Sequence, residues 1–140
     1  MVKGKRKVLI SILAVIGVIA VFLAVWYFLP KNFLKGVSSA DVISISVFDG
    51  NTGKSFTIDK QEEIRYIVEN IQGKEMKKEG ISLFHSGYSF RISFYGENGK
   101  KLDSFIINSS DTIRSDPFFY YCGDGLCYDY LKELENKYAK

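Results

Sequence analysis

Residues 8–29 form an unbroken apolar run without a single charged side chain, and Lys3, Lys5, Arg6 and Lys7 stand just before it. As an α-helix at about 1.5 Å per residue the run is about 33 Å long, enough to cross a hydrocarbon core of about 30 Å. Backbone polar groups find no water in lipid, so a lone span has to be helical. Ser11 is its only strongly polar side chain, and that hydroxyl can bond back to a carbonyl of its own helix. Val8 and Leu29 mark the ends of the expected span, Trp26 and Tyr27 stand at headgroup level, and Pro30 stops the helix. The cationic cluster predicts a single-pass plasma-membrane protein, with residues 1–7 cytoplasmic and the C-terminal part extracytoplasmic. A cleaved leader is the competing reading, with Ser38-Ser39-Ala40 as a small-x-small cleavage site. The run exceeds the ~7–15 residues of a leader core and Ala40 lies far beyond its end, which favours a retained anchor. Ala14, Gly17, Ala20 and Ala24 give the helix one side of small residues that would admit a second helix.

Seven cytoplasmic residues would be too few to fold, so no intracellular output domain is expected. Without the N-terminal cluster, 15 basic residues face 16 acidic ones, a net charge of −1. Nucleic-acid binding needs a basic footprint to offset phosphate, and this remainder has none. Lys74, Lys77 and Lys78 alternate with Glu75 and Glu79 and read as a solvated face. Residues 30–40 read as a tether and 41–140 as one domain, large enough for a single core.

Within that domain, Ile43, Ile45 and Val47 alternate with Ser44 and Ser46, the pattern of a half-buried strand over 42–48. The turn-rich Asp49-Gly50-Asn51-Thr52-Gly53 leads to a second strand at 55–58, so the pair predicts a hairpin. Asp59 and Glu62 suit a capping box ahead of a helix whose stripe is Ile64, Ile67, Val68 and Ile71, with Gly73 ending it in a left-handed conformation. A strand is expected near 75–78. Tyr88, Phe90, Ile92 and Phe94 then alternate with Ser89, Arg91 and Ser93, and Asn98-Gly99 predicts a tight hairpin to a strand over 102–107. A further strand near 118–122, entered through Asp116-Pro117, and an amphipathic helix over 128–138 close the chain. The fold class is α+β: β-β-α-β-β-β-β-α, an antiparallel sheet of about five to six strands packed by two helices.

Chemistry is sparse. Gly50 to Ser55 imitates the end of a phosphate loop, but the position needing its first glycine holds Phe48. A calcium loop from Asp49 would place Lys54 and Lys60 where a glycine and a glutamate are required. Neither cofactor nor metal is expected. Asn108-Ser109-Ser110 matches a glycosylation sequon and equally suits a turn. Cys122 and Cys127 flank a turn and would form a small disulfide outside the cytoplasm. Joined by His85 and Asp124 they could form a thiol or zinc centre, although His85 brings no second ligand near it in sequence. Phe119, Tyr121, Tyr128 and Tyr130, within an aromatic group that includes Phe118 and Tyr120, are the candidate binding surface.

Val47-Phe48-Asp49-Gly50-Asn51-Thr52-Gly53-Lys54, Gly87-Tyr88-Ser89-Phe90 and Phe105-Ile106-Ile107-Asn108-Ser109 accompany the basic start and single span. In this layout the chain resembles the small, single-pass, membrane-anchored extracytoplasmic proteins of Gram-positive bacteria. That resemblance implies location and carries no activity. The reading is a non-catalytic, membrane-tethered binding module for a protein or envelope ligand. The alternatives are a thiol- or metal-dependent protein using Cys122, Cys127 and His85, and an accessory subunit acting through its transmembrane helix.

Overall fold

The computed structural model describes residues 2–123 and 125–139. α1 (Val2–Phe28) is one helix long and apolar enough to cross a membrane, and it starts ahead of the apolar run, so the basic cluster forms its first turns. Ser11 Oγ donates to the Lys7 carbonyl at 3.1 Å, the back-bond expected of a lone hydroxyl on an apolar helix. Pro30 has no amide hydrogen to extend the ladder, and the helix ends at Phe28.

Residues 30–40 differ from the expected tether. Lys31 and Met76 exchange both backbone hydrogen bonds, at 2.7 and 3.0 Å. Phe33 and Leu34 are buried at 2% and 3% exposure. The Phe33 ring lies 4.8 Å from that of Phe105 and 5.1 Å from that of Tyr120. Gln72 Nε2 donates to the carbonyls of Leu34 and Val37, holding the segment down. Burial of these two side chains, with the Lys31–Met76 pair and the Gln72 bonds, offsets the freedom that the segment loses.

Seven strands form one sheet: β1 (Ser44–Asp49), β2 (Ser55–Ile58), β3 (Lys77–Ile81), β4 (Phe90–Tyr95), β5 (Lys101–Ile107), β6 (Thr112–Ser115) and β7 (Phe118–Tyr121). Their order is β2-β1-β4-β5-β6-β7-β3, antiparallel at every pairing. The fold is α+β with one strand more than the sequence predicts. The addition is β6, four residues with Ile113 as their only buried side chain, too short to show alternation. Ile45, Val47, Phe56, Ile58, Phe90, Ile92, Phe94, Phe105, Ile107 and Ile113 line the buried face. Ile43 precedes β1 and stays exposed, whereas Tyr88 turns to the opposite face beside Phe48 and Arg91. Asn98 and Gly99 carry φ of 56° and 71°, the left-handed pair a tight β4–β5 turn needs.

α2 (Gln61–Gln72) and α3 (Tyr128–Tyr138) cover the buried face. The stripe Ile64, Ile67, Val68 and Ile71 is fully buried, as are Leu131 and Leu134 on α3. The capping box does not form: Lys60 is the residue before the helix and makes no side-chain cap. Gly73 ends α2 with φ of −71°, and its value is room, since a Cβ there would sit 3.3 Å from the Glu69 carbonyl. α2 takes the chain from β2 at one edge of the sheet to β3 at the other.

Glu63 ties the two helices together, accepting from Lys137 Nζ at 2.6 Å and Tyr138 Oη at 2.8 Å. Burial pushes its carboxyl up, but the two hydrogen bonds and the lysine charge outweigh burial and hold it below its ordinary value of 4.5. A depressed carboxylate contributes stability above the unfolded-state pKa and loses it as pH falls through the folded one. Glu63→Gln is therefore expected to lower the urea midpoint at pH 7. The difference from wild type should shrink progressively as pH falls below 4.5; a difference unchanged by acid would mean that packing, not charge, is at work.

Candidate functional site

Alternation along β7 turns Phe118 and Tyr120 toward the helices and Phe119 and Tyr121 away, so one strand builds two different surfaces. On the helix side, Phe118 receives the end of α1. Its ring lies 5.8 Å from Trp26 and 5.8 Å from Tyr27, both edge-on. Lys78 pairs with Tyr120 across β3 and β7. Its ammonium sits 4.5 Å from the Trp26 ring and donates to the Trp26 carbonyl at 3.1 Å. That carbonyl belongs to the last turn of a helix, where acceptors lack partners and a cation is favoured. With the Lys31–Met76 pair, these contacts fix the end of α1 against the sheet.

Among the described residues no helix packs across the opposite face of the sheet. The end of α1 reaches it only at the β3–β7 edge, where Tyr27 and Phe28 share a hollow with Lys77 and Tyr121. Register brings Phe48, Arg91, Ile106, Arg114 and Phe119 into one row across β1, β4, β5, β6 and β7. Beside it, Ser46, Ser93 and Ser104 form a row of hydroxyls, with Ser93 Oγ and Ser104 Oγ 2.8 Å apart. A shallow hollow of about 200 Å³ lies between Arg91 and Arg114, floored by Ser104 and Ile106. Arg114 is committed: Nε donates to Asp116 Oδ1 at 2.8 Å and a terminal nitrogen to the His85 carbonyl at 2.9 Å. Hydrogen bonds from Arg114 and then Ser82 hold Asp116 below the usual carboxylate range. Arg91 stacks on Tyr88, its guanidinium 4.4 Å from the ring centre, and makes no ion pair among the described residues. A guanidinium beside an isoleucine and a row of hydroxyls suits a ligand that combines an anionic group with apolar surface.

The sequence-predicted site residues do not converge. Cys127 is a buried free thiol, which corrects the expected bridge to Cys122. Burial pushes that thiol up to about 12, so at neutral pH it stays protonated, a poor nucleophile and a poor metal ligand. Cys122 follows β7 at the end where its amide bonds the Asp111 carbonyl. His85 sits at the other end, its ring 5.2 Å from Phe119 on the bare face. The sheet thus separates His85 from Cys127. Among the described residues no group of three or more histidines, cysteines and carboxylates could hold a metal, and Asp124 lies outside them.

The aromatic surface is likewise divided. Phe119 and Tyr121 lie on the bare face, whereas Tyr128 packs on Phe90 at 5.4 Å and Tyr130 on Tyr66 at 4.5 Å, both on the helix side. Two of the four therefore serve packing of α3. Sequence reasoning missed Arg91, Ile106 and Arg114 because only strand register aligns residues that stand far apart in the chain. No family model matches the chain, and no curated protein or solved structure is significantly similar to it.

Proposed function

We propose that the chain is a retained single-pass anchor, N-terminus cytoplasmic, holding a non-catalytic extracytoplasmic binding module at the membrane surface. One observation carries the anchor: cleavage after Ala40 would remove Phe33 and Leu34 from the core and the Lys31 pairing from Met76. A leader is discarded without damage to what it leaves behind, and this segment is part of the fold. The separation of Cys127 from His85 supports a binding role over thiol or metal chemistry. The ligand face is the bare sheet around Arg91, Ile106 and Phe119, and the ligand is a protein or envelope component bearing an acidic group.

A photo-crosslinking side chain at Ile106, compared with one at Tyr66 on α2, tests this in the native membrane. The expected result is a discrete adduct from position 106 alone, lost with Arg91→Glu, on a chain of full length that resists alkaline extraction. A mature chain lacking its first forty residues would overturn the anchor. Equal, diffuse labelling from both positions would overturn the binding face.

A further inference from the structure

Beyond α1 and Leu29 just after it, the large apolar side chains exposed among the described residues are Ile43, Tyr66, Ile81, Leu83, Phe84 and Tyr121. Four of these six belong to β3, the loop behind it or β7, the strands that receive the end of α1. Phe84 is fully exposed and held at φ of 69°, a left-handed conformation that aromatic residues rarely adopt.

The direction of this loop follows from register. Lys31 pairs with Met76 in antiparallel sense, so moving back along the chain from Lys31 to Trp26 runs the same way as moving forward along β3. Trp26 and Tyr27 reach Phe118, the partner of Ile81, five residues beyond Met76 and about 16 Å along the strand. The end of β3 and the loop behind it therefore point toward the apolar length of α1, not away from it.

The loop also holds part of its polar backbone inward. Ser82 N–H donates to the Pro117 carbonyl at 2.8 Å and Ser82 Oγ to Asp116 at 2.6 Å. His85 N–H closes back on the Ser82 carbonyl at 3.2 Å, and Arg114 takes the His85 carbonyl. Ser82 and the His85 backbone are thus bonded inward to the protein while Leu83 and Phe84 face out, an arrangement suited to the hydrated headgroup–acyl boundary.

We infer that Ile81, Leu83 and Phe84 form a second membrane contact, inserted at the headgroup–acyl boundary of the leaflet from which α1 emerges. The occupant is lipid, because the patch is continuous with the aromatic collar of a bilayer-length helix. This rests on the anchor reading. Together α1 and the loop are two contacts on one plane, so the domain cannot swivel about its helix and the bare sheet keeps a fixed inclination to the membrane.

The test uses the full chain in vesicles of equal parts phosphatidylcholine and phosphatidylglycerol. Trp26 is the only tryptophan, so Trp26→Phe with Phe84→Trp leaves one reporter in the loop, and Trp26→Phe with Tyr66→Trp places one on α2. Lipids brominated near the top of the acyl chain should quench the loop reporter ~2-fold or more, with a blue-shifted emission, and leave the α2 reporter unchanged. Protein that floats with the vesicles while the loop reporter emits as in water and is unquenched overturns the loop contact and leaves the anchor standing. Protein that fails to float overturns the anchor and this inference with it. Should the double variant misfold, relaxation of amides 82–85 by spin-labelled lipid in the unsubstituted chain gives the same answer: faster than at 62–66 upholds the contact, equal overturns it.

Discussion

Phe33→Ala is expected to destabilise the domain by about 3–5 kcal/mol, the range for removing a buried aromatic ring. Phe33 is 2% exposed, wedged between Phe105 and Tyr120, with the Lys31 ammonium 4.4 Å from its ring centre. The void would open where the segment joining helix to domain lies on the sheet, and loosening there frees Leu34 as well. Against a total of about 5–15 kcal/mol for a domain of this size, such a loss is a large share of the whole. Asn32→Ala next to it, at an exposed side chain with a long 3.4 Å bond to the Lys74 carbonyl, should change little. Denaturant unfolding of the full chain in detergent, followed by near-ultraviolet circular dichroism, measures both. A chain beginning at Asp41 should be less stable than either. An Asp41-initiated chain as stable as the full one would remove the reason to regard residues 31–40 as structural and restore the leader reading.

Phe33 also shows where sequence reasoning stops. Periodicity reveals a side chain that repeats: Ile64, Ile67, Val68 and Ile71, or Phe90, Ile92 and Phe94, announce helix and strand, and both are present. The final helix, 128–138, is likewise as expected. Phe33 and Leu34 stand alone between Pro30 and Gly36, with no repeat to distinguish burial from exposure. β6 fails for the same reason, one buried isoleucine in four residues. The aromatic cluster at 118–121 was legible as two-faced, but which face is free depends on α1 returning to cover Phe118, a contact between residues about ninety positions apart. The arginine row depends on register across five strands, and a bulge between Phe94 and Tyr95 shifts even the β4–β5 pairing. Local signals specify elements; these sites are made by pairing at a distance.

The turn between β1 and β2 holds two glycines whose substitutions should behave differently. Gly50 lies under the Tyr88 backbone: a Cβ there would fall 2.4 Å from the Tyr88 carbonyl oxygen and 2.9 Å from its ring. Its amide donates to the Ser89 carbonyl at 2.8 Å, so the turn cannot back away without losing a bond. Gly53 has nothing within 4 Å of such an atom but carries φ of 73°. Gly50→Ala should therefore cost ~3 kcal/mol, the upper part of the overpacking range, and Gly50→Asn should be no better. Gly53→Ala should cost roughly 1–2 kcal/mol and Gly53→Asn less, since asparagine tolerates the left-handed region. Gly50→Ala also carries a functional reading: pushing Tyr88 aside removes the ring on which Arg91 stacks, so the adduct from Ile106 should weaken in the fraction that remains folded. Gly53→Ala should leave that adduct intact. Equal losses at the two glycines, or an Asn rescue at position 50, would mean that backbone conformation and not space governs the turn, and would separate Tyr88 from the binding face.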